Sequence, residues 1–519
     1  MDAATSLNTP KAGIRLGWRV TPRRLTVVLI LLTVALRIIG IGGRPLWLDE
    51  AYSSWFSSLS WHALWTEVPT YETHPPFYYS LLKLWRLLFG GSAVGLRLSS
   101  ILLAATTVPV IFAACRELER VRPTGRPLLR AGMAAFLLAC SPVLVLAGTE
   151  ARPYPLLIFA YATAALAVLR LMREFAAGGV GRWASWLMLA AATELGLWAH
   201  ALGVLYATCL AGALAPSWLN GMSRSRLMRG ASVAMVVTLL YLPCLLMMMG
   251  RAGDWGTGWI RWEPFMALQL IGLYSVPVEV LTVGSAIAAL TLCLLIKRAL
   301  EASFQTPGWN PDRAMLLLWW GPPLLAVVIS QLGMPVFLPR TLTPTLVPAY
   351  LALSGALAGV PSQRERFALT AALVITLLPT GAIVALRPAQ EAWDEVAAYL
   401  NRNVRPGDQI WVYPNDSALP LRYAGLSIAT HGVPGDYPAV GIKGPIRAGS
   451  PAVVSVTAGQ AASIVRDPSA RAAPTVWLVT RQSGLFDPAG DMPRALAGSR
   501  RAGRAQNWDY IQVTPYARR

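Results

Sequence analysis

Charge is scarce in this chain. Only 14% of its 519 residues are Asp, Glu, Lys or Arg, against 55% hydrophobic, which excludes an ordinary soluble domain. Cysteine is scarcer still: Cys115, Cys140, Cys209, Cys244 and Cys293 all lie in apolar segments without paired spacing. Neither a disulfide framework nor a thiolate metal site is implied, and all five read as small buried hydrophobes. No HExxH-type spacing joins the four histidines, no dinucleotide fingerprint is present, and no internal repeat recurs. Acidic residues are few, 26 against 45 Lys and Arg, for a formal charge of +19. The basic excess sits in short loops between apolar runs, where the positive-inside rule accounts for it, so nucleic acid is not an expected partner. No small-residue cleavage site follows the first apolar run, which is therefore expected to be a retained span and not a removed signal peptide.

Long apolar runs are what the sequence has in abundance. A helix needs about 20 apolar residues to cross the hydrocarbon core, and segments near that length occur at 25–42, 97–115, 131–148, 155–172, 184–199, 201–217, 231–249, 276–296, 314–332, 338–358 and 367–386. The expectation is an α-helical polytopic membrane protein of about eleven transmembrane helices. Residues 76–90 are short and carry Lys83 and Arg86; counting them as a span would put the arginine-rich stretch 116–130 outside. Treated as an amphipathic helix in the outer interface, they leave the basic loops near 120, 175, 225, 298 and 364 cytoplasmic.

Residues 1–24, with Lys11, Arg15, Arg19, Arg23 and Arg24, then form a cytoplasmic N-terminal segment, and 25–387 the transmembrane domain. One face collects Asp49, Glu50, His74, Arg97, Glu150, Arg152, His200 and Arg340, with a Trp-rich loop at 250–264. In that loop Trp255, Trp259 and Trp262 lie among Asp254, Arg261 and Glu263. An outer loop at 43–96 organises the rest: it joins the adjacent carboxylates Asp49 and Glu50 to dense Trp and Tyr and ends in His74-Pro75-Pro76, a mixture suited to the membrane surface.

Beyond 387 the character changes. Residues 391–403 have helical spacing with acidic residues early, and 408–414 and 474–480 read as short buried strands. Residues 388–519 are expected to form a small soluble α/β domain on the periplasmic side, with a Gly/Pro-rich loop at 432–451.

Leu48-Asp49-Glu50-Ala51, His74-Pro75-Pro76 with Tyr78-Tyr79, Leu96-Arg97-Leu98, Glu150-Ala151-Arg152-Pro153-Tyr154, and Pro339-Arg340 opening an apolar helix occur in that order. Together they resemble the large GT-C glycosyltransferases, nearest the bacterial family 39-type enzymes related to protein mannosyltransferases and to the aminoarabinose transferase of lipid A. The resemblance spans roughly 20–385. It implies transfer of a sugar from a polyprenyl-phosphate donor to a lipid, glycan or protein acceptor, at the periplasmic face of a bacterial inner membrane.

Such a reaction needs a base for the acceptor hydroxyl, cations for the leaving phosphate and a lipid groove. Asp49 matches the family's essential acidic residue and is the expected base, giving inversion; the competing reading is a helix cap. Glu50 is either a second acidic contact, to a sugar hydroxyl or a metal, or a charge favouring the helix N-terminus. Glu150 is a further candidate carboxylate, two residues from Arg152 and able to pair with it. Arg340, Arg97 and Arg152 are the donor-phosphate candidates, against simple snorkelling. In relatives an aromatic often follows the residue matching Arg340, whereas Thr341 follows here. His74 and His200 are candidates for substrate or a divalent metal. Arg37, inside the first span, is expected to snorkel outward. The rivals are a flippase or transporter of lipid-linked saccharides, a degenerate scaffold, and a polymerase or ligase using an oligosaccharide diphosphate donor.

Overall fold

Thr21 and Pro22 set the start of the bundle. The Thr21 hydroxyl accepts from the Arg24 amide at 3.3 Å, and Pro22 fills a first position that needs no amide, opening α1 (Pro22–Ile38). The computed structural model describes residues 21–70, 72, 74–249, 283–388, 391–435 and 456–519. The expectations for Lys11, Arg15, Arg19, the Trp-rich loop at 250–264 and most of the 432–451 loop fall outside them.

After α1 come three short elements, α2 (Leu48–Ser58), α3 (Trp61–Thr66) and α4 (Phe77–Phe89). The bundle continues with α5 (Ala93–Val121), α6 (Pro127–Cys140), α7 (Pro142–Ala147), α8 (Tyr154–Ala176), α9 (Trp183–Ala199), α10 (Gly203–Leu219) and α11 (Arg224–Met249). It closes with α12 (Val283–Phe304), α13 (Pro311–Gln331), α14 (Leu346–Ala358) and α15 (Gln363–Ala385). Among the described residues, α5, α8, α11, α13, the unit Pro339–Ala358 and α15 are long and apolar enough to cross a bilayer, while α6 and α10 are apolar but shorter.

The segment at 76–90 forms the short helix α4. Pro76 precedes α4, and Gly90, at φ +76°, ends it in the left-handed region that glycine tolerates. Leu84, Leu87 and Leu88 face outward, whereas Tyr78, Tyr79 and Leu82 pack on Phe56 and Leu96. Its two cations turn to α2: Lys83 Nζ donates to the Leu59 carbonyl at 2.5 Å and Arg86 to that of Ser54 at 2.9 Å. Charges too costly for a span thus tie this helix to the loop that precedes it.

Four expectations need correction. The run 131–148 is two helices broken at Ser141, because Pro142 has no amide for the Leu138 carbonyl. Arg37 fills that gap and does not snorkel. It is 1% exposed and donates to the carbonyls of Thr33, Leu138, Ala139 and Leu144 at 2.9–3.3 Å. Gly148 makes room for it, since a Cβ there would sit 2.3 Å from Arg37 Nε. Pro339-Arg340 opens a 3-10 turn, Pro339–Thr345, before the α-helix resumes. Cys293 is exposed, unlike the other four cysteines.

The basic loops meet at the end of the bundle away from α2. Arg173 pairs with Glu117 at 2.7 Å and Arg298 with Glu365 at 2.5 Å; Arg122 binds Asp312, and Arg126 binds the Ala358 carbonyl.

The C-terminal part holds α16 (Trp393–Asn403), β1 (Gln409–Tyr413), α17 (Ala418–Tyr423), β2 (Thr430–Gly432), α18 (Ala458–Arg466), α19 (Pro468–Ala472), β3 (Thr475–Arg481), α20 (Ser483–Phe486), α21 (Asp491–Ser499), β4 (Arg500–Ala502), β5 (Gln506–Trp508) and β6 (Ile511–Arg518). The strands form a mixed sheet in the order β2-β1-β3-β6-β4, with β5 also on β6; β1 is parallel to β2 and β3, and β6 antiparallel to β3. Alternation along β1 splits the core: Ile410 and Val412 face Trp393, Val396 and Leu400, whereas Trp411 and Tyr413 face Ala461, Met492 and Leu496.

Candidate active site

The adjacent carboxylates of α2 point to different tasks. Asp49 and Glu50 occupy the first turn, after an N-cap, Trp47, that supplies no side-chain acceptor. The capping reading of Asp49 therefore fails: the residue lies inside the helix and turns its carboxylate to cations. Its Oδ2 is 3.3 Å from Arg340 and 3.6 Å from Arg152, with the side chain 21% exposed. Arg152 also donates to the Asp49 carbonyl at 3.0 Å and to Ser53 Oγ at 3.4 Å. Burial opposes the Asp49 charge, but Arg152 and then Arg340 outweigh it and hold the carboxyl below its ordinary value.

Glu50 is fully buried. Arg97 grips it with Nε on Oε1 at 2.8 Å and a terminal nitrogen on Oε2 at 2.5 Å, and the Ala151 amide donates to Oε1 at 2.9 Å. The remaining donors of Arg97 go to the carbonyls of Ile41, Arg44 and Pro45 at 2.8–2.9 Å. All five N–H groups of this guanidinium are engaged within the protein. Glu50 likewise meets neither histidine; it is the counter-ion that locks α2 to α5 and to the turn before α8.

Arg152 and Glu150 do not pair, because Arg152 turns to Asp49. The Glu150 carbonyl accepts from Ser100 Oγ at 2.6 Å, while its carboxyl makes no hydrogen bond or ion pair among the described residues. Burial, reinforced by the Glu50 charge, pushes that carboxyl up to about 8. Arg340, whose side chain is 40% exposed, also lies over the Trp47 ring at 5.7 Å.

His74 and His200 come together with ring centroids 4.2 Å apart. His200 Nδ1 accepts from the Leu202 amide at 3.0 Å, leaving Nε2 buried without a partner, as is His74 Nδ1. Burial and then Arg152 push His74 down to about 3. Two nitrogens begin a metal site but do not complete one: no group of three His, Cys, Asp or Glu able to hold a metal occurs among the described residues.

Sequence reasoning missed the contribution of the C-terminal part. Glu391 accepts from the Leu48 amide at 3.0 Å, Tyr52 donates to Asp416 at 3.4 Å, and Leu419 packs on Leu46 and Ala51. No motif marks these residues.

This fold, a helical bundle joined to a C-terminal α/β part, is shared with solved structures of low sequence identity. The solved structures that share it include ArnT from Cupriavidus metallidurans in the apo state, at a TM-score of 0.59 and 13% identity over 94% of this chain and 97% of that one. The same enzyme bound to undecaprenyl phosphate aligns at a TM-score of 0.58, with 13% identity over 95% and 97%. The oligosaccharyltransferase AglB from Archaeoglobus fulgidus, in complex with an inhibitory peptide and a dolichol-phosphate, gives 0.53 and 11% identity over 95% and 74%. No protein-family model and no curated protein matches the sequence.

Proposed function

We propose that this chain is an inverting glycosyltransferase that moves a sugar from a polyprenyl-phosphate carrier to a hydroxyl of an envelope lipid, glycan or protein. The observation that carries this is Asp49, partly exposed and set between Arg152 and Arg340 at one end of the bundle. The lipid-phosphate complexes of structures with the same fold support a lipid-linked donor.

Asp49 takes the proton from the acceptor hydroxyl as its oxygen attacks the anomeric carbon. The bond from that carbon to the phosphate oxygen breaks on the opposite face, and the polyprenyl phosphate leaves with the electron pair. The low proton affinity of Asp49 in the resting site looks unhelpful for a base. A donor phosphate changes the balance: by drawing Arg340 to itself it removes a cation from Asp49 and raises its proton affinity at the step that needs it. Arg340 suits this exchange because its side chain is accessible and its link to Asp49 is long for a charge-assisted bond. Arg152, buried and anchored on the Asp49 carbonyl, holds the carboxylate in place. Glu150, protonated at neutral pH, serves as a hydrogen-bond donor to a sugar oxygen. The paired histidines are neutral contacts to substrate.

In this reading the chain makes eleven spans through a bacterial inner membrane. The basic end is cytoplasmic, and residues 25–387 with the loop 43–96 present the site to the periplasm beneath residues 388–519. The segregation of the arginine-rich loops from the Asp49 cluster supports that orientation.

The test is transfer by purified protein from a panel of radiolabelled polyprenyl-phosphate sugars to an envelope extract. Wild type should transfer label, and Asp49→Asn should lower the rate by about 10²–10⁴-fold at equal folding. A variant as active as wild type would remove Asp49 as base, and a wild type inert with every donor would remove the reaction class.

A further inference from the structure

The helix that carries Asp49 lacks a cap of its own. Its N-cap residue is Trp47, and no side chain from its own loop serves the first-turn amides. The acceptor comes from 343 residues along the chain: Glu391 Oε2 takes the Leu48 amide at 3.0 Å. The same oxygen accepts from Trp393 Nε1 at 2.7 Å, and Oε1 accepts from two nitrogens of Arg481 at 2.6 and 2.7 Å. Glu391 is 3% exposed, so its charge is tolerable only because Arg481, at the end of β3, pairs with it.

Neighbouring contacts reinforce this junction. Arg44 donates to the Ala385 carbonyl at 2.6 Å, and Gly40 lies so close to that carbonyl that a Cβ there would approach to 2.0 Å. From α17, Leu419 packs against Leu46 and Ala51, and Asp416 receives the Tyr52 hydroxyl at 3.4 Å.

Asp49 therefore sits between two residues that are each fixed by a buried ion pair: Leu48 through its amide on Glu391–Arg481, and Glu50 through its carboxylate on Arg97. We propose that Glu391, held by Arg481, is a positioning residue of the site, capping α2 from the C-terminal domain and making that domain an integral part of the transferase. The catalytic half of this proposal rests on Asp49 being the base. The capping half does not.

Two readouts on the full chain in detergent micelles separate these halves. The first is hydrogen exchange across residues 46–56. Glu391→Ala should speed exchange at the first-turn amides of α2 by about fivefold or more, the factor for a lost N-cap, with α8 unchanged. The second is transfer kinetics with the best polyprenyl-phosphate sugar of the panel. Glu391 touches no donor, so kcat should fall by about 10–100-fold with KM for the donor unchanged. Glu391→Gln keeps the shape and one acceptor for Leu48 but loses the Arg481 pair; it should fall between wild type and Glu391→Ala in both, and it decides the matter if the alanine variant does not fold.

Unchanged exchange in α2 of a folded variant overturns the cap. Faster exchange with unchanged kcat, or a loss confined to KM, overturns the positioning role. Faster exchange in a chain whose wild type transfers nothing upholds the cap and sinks the proposed function instead.

Discussion

Removing Arg97 should cost more than removing Glu50, although the two are partners in one ion pair. Breaking a buried pair by deleting one member costs about 3–5 kcal/mol, because the other is left buried and uncompensated. The two deletions strand different company. Without Arg97, Glu50 keeps only the Ala151 amide, and the carbonyls of Ile41, Arg44 and Pro45 lose a charged donor. Without Glu50, Arg97 keeps all three carbonyls and loses two of five bonds, while the Ala151 amide goes unpaired. Arg97→Ala is therefore expected at the upper end of that range and Glu50→Ala at or below the lower end.

The double variant should fall short of additivity by about 0.5–3 kcal/mol, since the pair is lost only once. The assay is thermal unfolding of the detergent-solubilised protein followed by tryptophan fluorescence, with donor binding measured on the same samples below the transition. The expected result is a midpoint lowered by about 4–5 °C for Arg97→Ala and less for Glu50→Ala. An Arg97→Ala protein that melts with wild type yet no longer binds a polyprenyl-phosphate donor would refute the reasoning and return Arg97 to the phosphate.

Glu150 gives a pH signature. Its carboxyl is held at about 8 in the folded chain against an ordinary value near 4.5, so folding favours the protonated form. That contribution is fully present below about pH 4.5 and is lost as pH climbs through about 8. Glu150→Gln, which cannot ionise, should gain thermal stability relative to wild type across this window, and parallel melting curves from pH 5 to 9 would contradict it. Arg37→Leu should destabilise by about 3 kcal/mol or more by stranding the carbonyls at the α6–α7 break, read in the same unfolding assay; a variant as stable as wild type would show that the break needs no donor.

The architecture was legible where single-residue physics decides it. The shortness of the run 76–90 and its Lys83 and Arg86 charges set α4 apart from the longer apolar helices, and short apolar runs bounded by turn residues located β1 and β3. The Asp49 neighbourhood was legible as a set of residues sharing one face, but not as a set of partners. Arg97, Arg152 and Arg340 look alike in sequence, each a cation at the end of an apolar run. Only packing assigns one to five internal bonds, one to the Asp49 backbone and one to an accessible position. Arg37 was misread for the same reason: an arginine near a span end snorkels unless carbonyls are waiting, and those were created by Pro142, more than a hundred residues away. Glu391 was invisible because its role depends on an amide in another domain, and an amide has no sequence signature.

The spacing of these contacts also orders their assembly during synthesis. Glu50 meets Arg97 after 47 residues and the Asp49 carbonyl meets Arg152 after 103, so both can form while the nascent chain is still short. Arg340 and then Glu391 come much later. A ribosome making this chain would build the socket for the loop first and deliver the accessible cation and the helix cap near the end of translation. Truncated products that end before Arg340 would keep the Glu50–Arg97 and Asp49–Arg152 contacts and lack both the Arg340 pair and the Glu391 cap.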